Sequence, residues 1–326
     1  MRRRFCMAEY LVTGGGGFIG SNIVEHLLKN GKSIRVIDNF YTGRRENLAD
    51  APNWAAKGGG KFELFEDDIR DLQSVRKAVK GCRFVLHQAA IPSVFRSVAD
   101  PITTSEVNIL GTLNLLIAAR DEKVERFVYA SSSSIYGESE VLPKVETMPP
   151  SPLSPYATQK LTGEYYLRIF HSIFGLATVS LRYFNVFGPR QDPTSEYSAV
   201  IPKFAAALLT GKKPLIYGDG KQTRDFTYVE NVIDANIRAT KAPPEAFGKV
   251  FNIACGDRIS LLELLSILSE FAGKRGEPEF VPVRAGDIKD SLADISRARE
   301  VLGYDAKVSV REGLRRTFEW YMANLR

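Results

Sequence analysis

Tyr156 and Lys160 stand four residues apart in Ser-Pro-Tyr-Ala-Thr-Gln-Lys. On a helix that spacing puts a phenol and an ammonium on one face, one turn apart. A tyrosine ordinarily ionises near pH ~10, too high for a base at neutrality, and a neighbouring ammonium favours the phenolate and lowers that value. Just upstream, Ser131-Ser132-Ser133-Ser134 supplies hydroxyls able to bond a reacting oxygen. Near the start, Thr13-Gly14-Gly15-Gly16-Gly17-Phe18-Ile19-Gly20 spaces Gly14, Gly17 and Gly20 as GxxGxxG. Such a turn brings backbone close to a pyrophosphate, whose charge the following helix N-terminus then binds. Asp38 follows about 20 residues on, where a carboxylate accepts from ribose hydroxyls and repels a 2′-phosphate. Arg44 and Arg45 nearby leave the phosphorylated dinucleotide open. Each motif alone is common. In this order they point to proton transfer beside a bound dinucleotide.

The elements needed to position these groups are legible as alternating strand and helix signals, which specify a parallel sheet covered by helices on both faces. Strands are expected at Tyr10-Leu11-Val12, Ile34 to Ile37, Phe62 to Phe65, Phe84 to Leu86, Phe127 to Tyr129 and Ala177 to Leu181, about six in all. A helix is expected over Gly17 to Lys29, and longer ones over Thr104 to Arg120 and Tyr156 to Phe174. Asp68-Ile69 and His87-Gln88-Ala89-Ala90 then fall at carboxyl ends of strands, where open parallel sheets bind ligands. His87 itself reads as a satisfied buried histidine rather than a catalytic one. From Asn185 onward Gly, Pro and Asp clusters separate the helices, as in a substrate-capping region. The fold expected is α/β: a Rossmann doubly wound parallel sheet over 8–184, with 225–256 returning to it, and a smaller C-terminal α/β lobe over 185–224 and 257–326.

Composition narrows the class. The 326 residues carry 44 Lys+Arg against 38 Asp+Glu, a formal charge of +6, with 44% hydrophobic and 25% charged residues. Such a chain buries a core, which excludes disorder, collagen and coiled coil. The only dense basic run is Arg2-Arg3-Arg4, so no nucleic-acid partner is expected. Three cysteines, Cys6, Cys82 and Cys255, without paired spacing, suggest neither a disulfide framework nor a zinc site, and fit a reducing cytoplasm. No signal-type apolar region follows the arginines, and no membrane partner is expected.

The motifs TGGGGFIG, DNF, DDIRD, VLHQAA, YASSSSIYG, SPYATQK and LRYFNVFGPRQ resemble the extended short-chain dehydrogenase/reductase family. Within it the chain looks like a nucleotide-sugar 4-epimerase of the UDP-hexose and UDP-N-acetylhexosamine type, from about Tyr10 to Tyr321. The resemblance implies NAD as a cofactor kept through turnover, with no metal. Tyr156 is then the acid/base, Lys160 holds the nicotinamide ribose and tunes Tyr156, and Ser132, four residues before Tyr136, is the catalytic hydroxyl. The implied cofactor contacts are Gly14, Gly17, Phe18, Ile19, Gly20, Asp38, Asn39, Asp68, Ile69, Gln88, Ala89, Ala90, Asn108 and Tyr183, besides Tyr156 and Lys160. The implied UDP-sugar contacts are Ser93, Arg96, Ser132, Ser133, Asn185, Val200, Tyr217, Arg224, Arg284, Asp287 and Ser291. Arg224 and Arg284 match arginines that clamp the diphosphate, a task suited to the guanidinium fork.

The resemblance also implies a homodimer pairing the Thr104–Arg120 and Tyr156–Phe174 helices of each subunit in a four-helix bundle. Related dehydratases would show Thr-Asp-Glu at 132–134, and decarboxylases Glu at 134; this chain has three serines there. Glucuronate 4-epimerases often carry Thr at the place of Asn185, which argues for a neutral sugar while leaving UDP-glucuronate as the alternative. Hexose-restricted epimerases commonly carry tyrosine at the place of Ser291, so serine implies room for a 2-acetamido group. A catalytically silent NAD-binding regulator would be expected to lack Tyr156 or Lys160, and both are present.

Overall fold

The computed structural model describes residues 8–194, 199–283 and 289–325. Its centre is a seven-stranded sheet, all parallel, in the order Lys249–Ile253, Thr178–Tyr183, Arg126–Ser132, Phe84–His87, Tyr10–Thr13, Ile34–Ile37, Phe62–Phe65. Six of these strands lie where the sequence puts them. The seventh, Lys249–Ile253, follows the Val229–Thr240 helix and pairs with Thr178–Tyr183.

Tyr-Leu-Val-Thr, Ile-Arg-Val-Ile and Phe-Val-Leu-His are buried at every position, as strands covered on both faces must be. Alternation within them feeds two cores. Tyr10 and Val12 face one that also holds Ile23, Val36, Leu86 and Val232. Leu11 faces the other, with Ile37, Val85, Leu115, Phe127 and Leu167. A third cluster, with Phe187, Phe204, Ile216, Leu264, Leu314 and Phe318, belongs to the C-terminal helices and the short strand pairs beside them. The order of the strands reverses between Tyr10–Thr13 and Phe84–His87, which opens a crevice at their carboxyl ends.

The Pro155–Phe174 helix carries the phenol–ammonium pair, and its ends are fixed locally. Ser154 accepts from the Ala157 N–H, Pro155 occupies the first turn, and Gly175 at φ +69° ends it. The uninterrupted helix expected over Thr104–Arg120 is instead Pro101–Ser105, a π-turn over Glu106–Gly111, and Thr112–Asp121. The wide turn accompanies two tight fits. The Asn108 side chain grips Ile91, and Gly111 lies against Ile69, whose Cδ1 would be 2.6 Å from an added Cβ. By length and composition alone Pro101–Asp121 would suffice to cross a membrane; here it packs against the Leu72–Val79 and Pro155–Phe174 helices.

Candidate active site

At the carboxyl ends of the strands lies a cavity of about 460 Å³. One wall is the glycine turn. Gly14 has φ +68°, and a Cβ there would meet the Ala89 backbone at 2.7 Å; at Gly20 it would meet the Gly14 carbonyl oxygen at 2.1 Å. The Gly17 N–H donates back to that carbonyl. Only glycines let the Phe18–Lys29 helix start this close to the strand, with its first N–H groups toward the cavity. The geometry therefore fits a dinucleotide pyrophosphate.

Asp38 lines the same cavity. It accepts from the Gly16 N–H at 2.7 Å and the Phe40 N–H at 2.8 Å, and burial pushes its carboxyl up against the pull of those two bonds. Arg44 and Arg45, which could have greeted a 2′-phosphate, are paired to Asp192 and Glu66. Asn39 donates to Asp68, which Arg70 also holds. Phe18, Ile19, Ile69, Ala89 and Ala90 line the cavity as well. Gln88 and Tyr183 meet there: the Tyr183 hydroxyl donates to Gln88 and accepts from Asn236, and burial takes it up to about 12.

Tyr156, Lys160, Ala130 and Ser131 close the inner end. The Lys160 Nζ donates to the Ala130 carbonyl at 2.7 Å, 4.9 Å from the Tyr129 ring centre and 5.9 Å from that of Tyr156. Burial lowers Lys160 to about 7 and raises Tyr156 to about 12, with a Ser132 hydrogen bond pulling the phenol back down. This corrects the simple expectation of an ammonium-lowered tyrosine. In this geometry the ammonium serves a main-chain carbonyl, and Ser132 is the polar group at the phenol. Ser132 also receives the Ser134 N–H and hydroxyl.

His87 is the buried histidine expected. It sits between the Thr13 and Thr112 hydroxyls, at 2.8 and 2.9 Å, and burial drives it down to about 3.

Ser93 and Arg96 line the same cavity, while Asn185, Val200, Tyr217 and Arg224 come together around a second one of about 240 Å³; Ala199 borders both. Arg224 Nη1 donates to the Thr223 and Lys289 carbonyls, and Asn185 to the Asp225 carbonyl. Three of the expected contacts, Asn108, Ser133 and Ser291, line neither cavity, and Ser132 reaches the first through its bond to Tyr156. Asn108 is buried behind the wall, its amide spent on Ile91 and Gln159. Ser133 starts the short helical turn after the fifth strand, and Ser291 donates its N–H to the Thr223 carbonyl beside Arg224. Arg284 and Asp287 lie outside the described residues.

Two features were not singled out from sequence. Arg190, Gln191 and Asp192 line the first cavity, although Gly-Pro-Arg-Gln-Asp-Pro signals only a turn. Asp225 is buried, accepts from the Cys255, Gly256 and Ala293 N–H groups, and is pushed up to about 7, chiefly by burial. Its place between Arg224 and Phe226 was the only clue. Among the described residues, no group of three His, Cys, Asp or Glu side chains converges as a metal site.

The family model described as the NAD dependent epimerase/dehydratase family matches residues 10–254. The chain belongs to that family. Among its relatives in the family, the UDP-glucose 4-epimerase of Mycolicibacterium smegmatis is 41% identical over 314 residues, covering 95% of this chain and 97% of that one. The structure of UDP-N-acetylglucosamine 4-epimerase from Methanobrevibacter ruminantium in complex with UDP-N-acetylmuramic acid superposes with a TM-score of 0.90 at 39% identity, covering 97% of this chain and 98% of that one. UDP-glucose 4-epimerase from Thermotoga maritima with UDP-glucose gives 0.90 at 37% identity, covering 97% and 99%.

Proposed function

We propose that this member of the family inverts C4 of a UDP-hexose or UDP-N-acetylhexosamine through a 4-keto sugar. The observation that carries it is Tyr156, with Ser132 at its hydroxyl, and Lys160 at the inner end of the cavity whose wall is the Gly14–Gly20 turn. Bound NAD supplies the hydride acceptor and then the donor.

Tyr156 takes the proton from the sugar 4-hydroxyl at its phenolic oxygen and returns it to the 4-oxygen once the keto sugar has presented its other face. Ser132 bonds the same sugar oxygen and holds it at the phenol. Lys160, fixed by the Ala130 carbonyl, together with the positively charged nicotinamide of bound NAD, would favour the phenolate that accepts this proton, against the burial that raises the phenol here. Arg224 and Asn185 grip the diphosphate while the keto sugar turns about the bonds leading to it, with Arg284 completing the clamp. The serines at 132–134 carry no carboxylate for eliminating water, which favours epimerisation over dehydration.

The protein acts as a homodimer. Tyr165, Ile169 and Ile173 repeat every fourth residue on the Pro155–Phe174 helix and are exposed, as are Ile102 and Leu110 on the neighbouring Pro101–Asp121 segment. Those two surfaces support a four-helix pairing, and light scattering at twice the chain mass tests it.

NMR of UDP-Gal, UDP-GalNAc and UDP-GlcA incubated separately tests the reaction itself. Interconversion at C4 of the first two is expected. Tyr156→Phe should lose several orders of magnitude in turnover while UDP-sugar binding survives, and near-normal turnover would overturn the role.

A further inference from the structure

Two loops meet across the dinucleotide cavity, each anchored at its base. Residues 43–47 are bolted to the glycine turn: the Arg44 N–H and the Asn47 amide both donate to the Gly16 carbonyl, at 2.9 and 2.8 Å. Residues 188–192 are tied down from the other side. Asn22 donates to the Pro189 carbonyl at 3.0 Å, Arg190 donates to Asn22 and Glu25, and the Tyr321 hydroxyl donates to the Gln191 carbonyl. Arg190 has φ +69°, a conformation that costs free energy in a residue with a Cβ. Its largely buried side chain, paired to Glu25, holds it there.

The loops come together through Arg44 Nη2 and Asp192 Oδ2 at 2.6 Å. Asp192 is oriented for this, since its other oxygen accepts from the Thr194 N–H and hydroxyl at 2.8 and 2.7 Å. Both residues line the cavity that holds the glycine turn and Asp38. Their side chains are 54% and 35% exposed, so the pair opens without unfolding anything beneath it.

We infer that Arg44 and Asp192 form a latch over the bound dinucleotide, whose ion pair governs how slowly the cofactor leaves. The inference rests on the NAD-dependent reading above. A reaction that takes a hydride and gives it back has no step requiring cofactor release, so a strap across the site costs nothing in turnover. Loss of cofactor between the two halves would strand a keto sugar.

The test uses the full chain loaded with NAD. Release into a scavenging NAD-consuming assay is followed for the parent, Arg44→Ala, Asp192→Asn and the reversed pair Arg44→Asp with Asp192→Arg. Each single variant should release NAD about threefold faster or more, the scale of one partly exposed ion pair. The reversed pair should regain slow release, and added salt should speed the parent but not Arg44→Ala. Equal release rates in all four proteins would overturn the latch. So would fast release from Arg44→Ala with parental release from Asp192→Asn, because Arg44 would then act on the cofactor directly. A parent that binds no NAD would instead overturn the reading on which the latch rests.

Discussion

Glu164 and Arg182 meet inside the protein as a two-point ion pair, Nε to Oε1 at 2.8 Å and Nη2 to Oε2 at 2.7 Å, with each side chain 4% exposed. Glu164 is the third residue of the run Tyr156, Lys160, Glu164, spaced four apart on one helix face. Its Oε1 also accepts from the Ser131 hydroxyl. Arg182 lies over the Tyr136 ring, and the Tyr136 hydroxyl donates to Asn252 at 2.7 Å. One buried polar chain therefore joins the helix that carries Tyr156 to the strand that ends in the serines and to the Lys249–Ile253 strand.

Breaking that pair leaves an uncompensated buried charge. Glu164→Gln should lower unfolding free energy by about 3–5 kcal/mol, read from urea midpoints at constant slope. Replacing Glu164 and Arg182 together with apolar residues should cost less than the single change. A loss under about 1 kcal/mol in Glu164→Gln would show that the pair contributes little.

Gly20→Ala tests the cradle. Within a helix, alanine ordinarily gains about 0.5–1 kcal/mol over glycine. Here the new Cβ would lie 2.1 Å from the Gly14 carbonyl oxygen, so the turn must move away from the helix start. The expected outcome is reduced stability with NAD affinity weakened tenfold or more, about 1.4 kcal/mol, by calorimetry. Parental affinity would mean that the close approach does not shape the pyrophosphate site.

His87 gives a pH dependence with a definite sign. The unfolded ring protonates near 6.5, whereas burial, followed by the Lys160 charge, keeps the folded ring neutral down to about 3. Between those values the unfolded state binds more protons, so stability is full above pH 6.5 and is lost as pH falls toward 3, by on the order of 5 kcal/mol. Other groups titrate in that window, so the measurement is the difference in slope between the parent and His87→Gln from pH 6.5 to 4. Identical slopes would show that the ring titrates normally in the folded protein.

The sheet and the dinucleotide wall were legible because local rules govern them. Buried apolar strands and the glycine spacing leave their mark within a few residues, and Gly14, Gly20, Asp38, Tyr156 and Lys160 all reach one cavity. The chemistry of Tyr156 was legible only in part, since its surroundings depend on Lys160 finding a carbonyl 30 residues away in sequence. Asn108 entered as a cofactor contact through the family resemblance, and a matched position does not reveal that its amide is already spent on Ile91 and Gln159. Asp225 and the 188–192 loop were quoted only as parts of motifs and not assigned to the site, for the converse reason: their partners, Cys255, Ala293 and Arg44, lie far along the chain.

Ser291 gives the prediction on sugar specificity. Its N–H is held by the Thr223 carbonyl, and the preceding residue, Asp290, accepts from the Thr223 N–H and hydroxyl. These bonds fix its backbone beside Arg224, which lines the second cavity, while its short side chain is half-buried. A tyrosine on that fixed backbone would project several ångströms farther than serine. Where the family resemblance puts the sugar's C2 substituent beside this position, that ring would take space that a 2-acetamido group needs in both orientations of the turning keto sugar, and that a 2-hydroxyl does not need. Ser291→Tyr should therefore abolish turnover of UDP-GalNAc and UDP-GlcNAc while changing kcat/KM for UDP-Gal by less than about tenfold, because added bulk selects against the larger ligand. Equal losses on both sugar classes would make the residue structural. Failure of the parent to turn over the N-acetyl sugars would refute the gate.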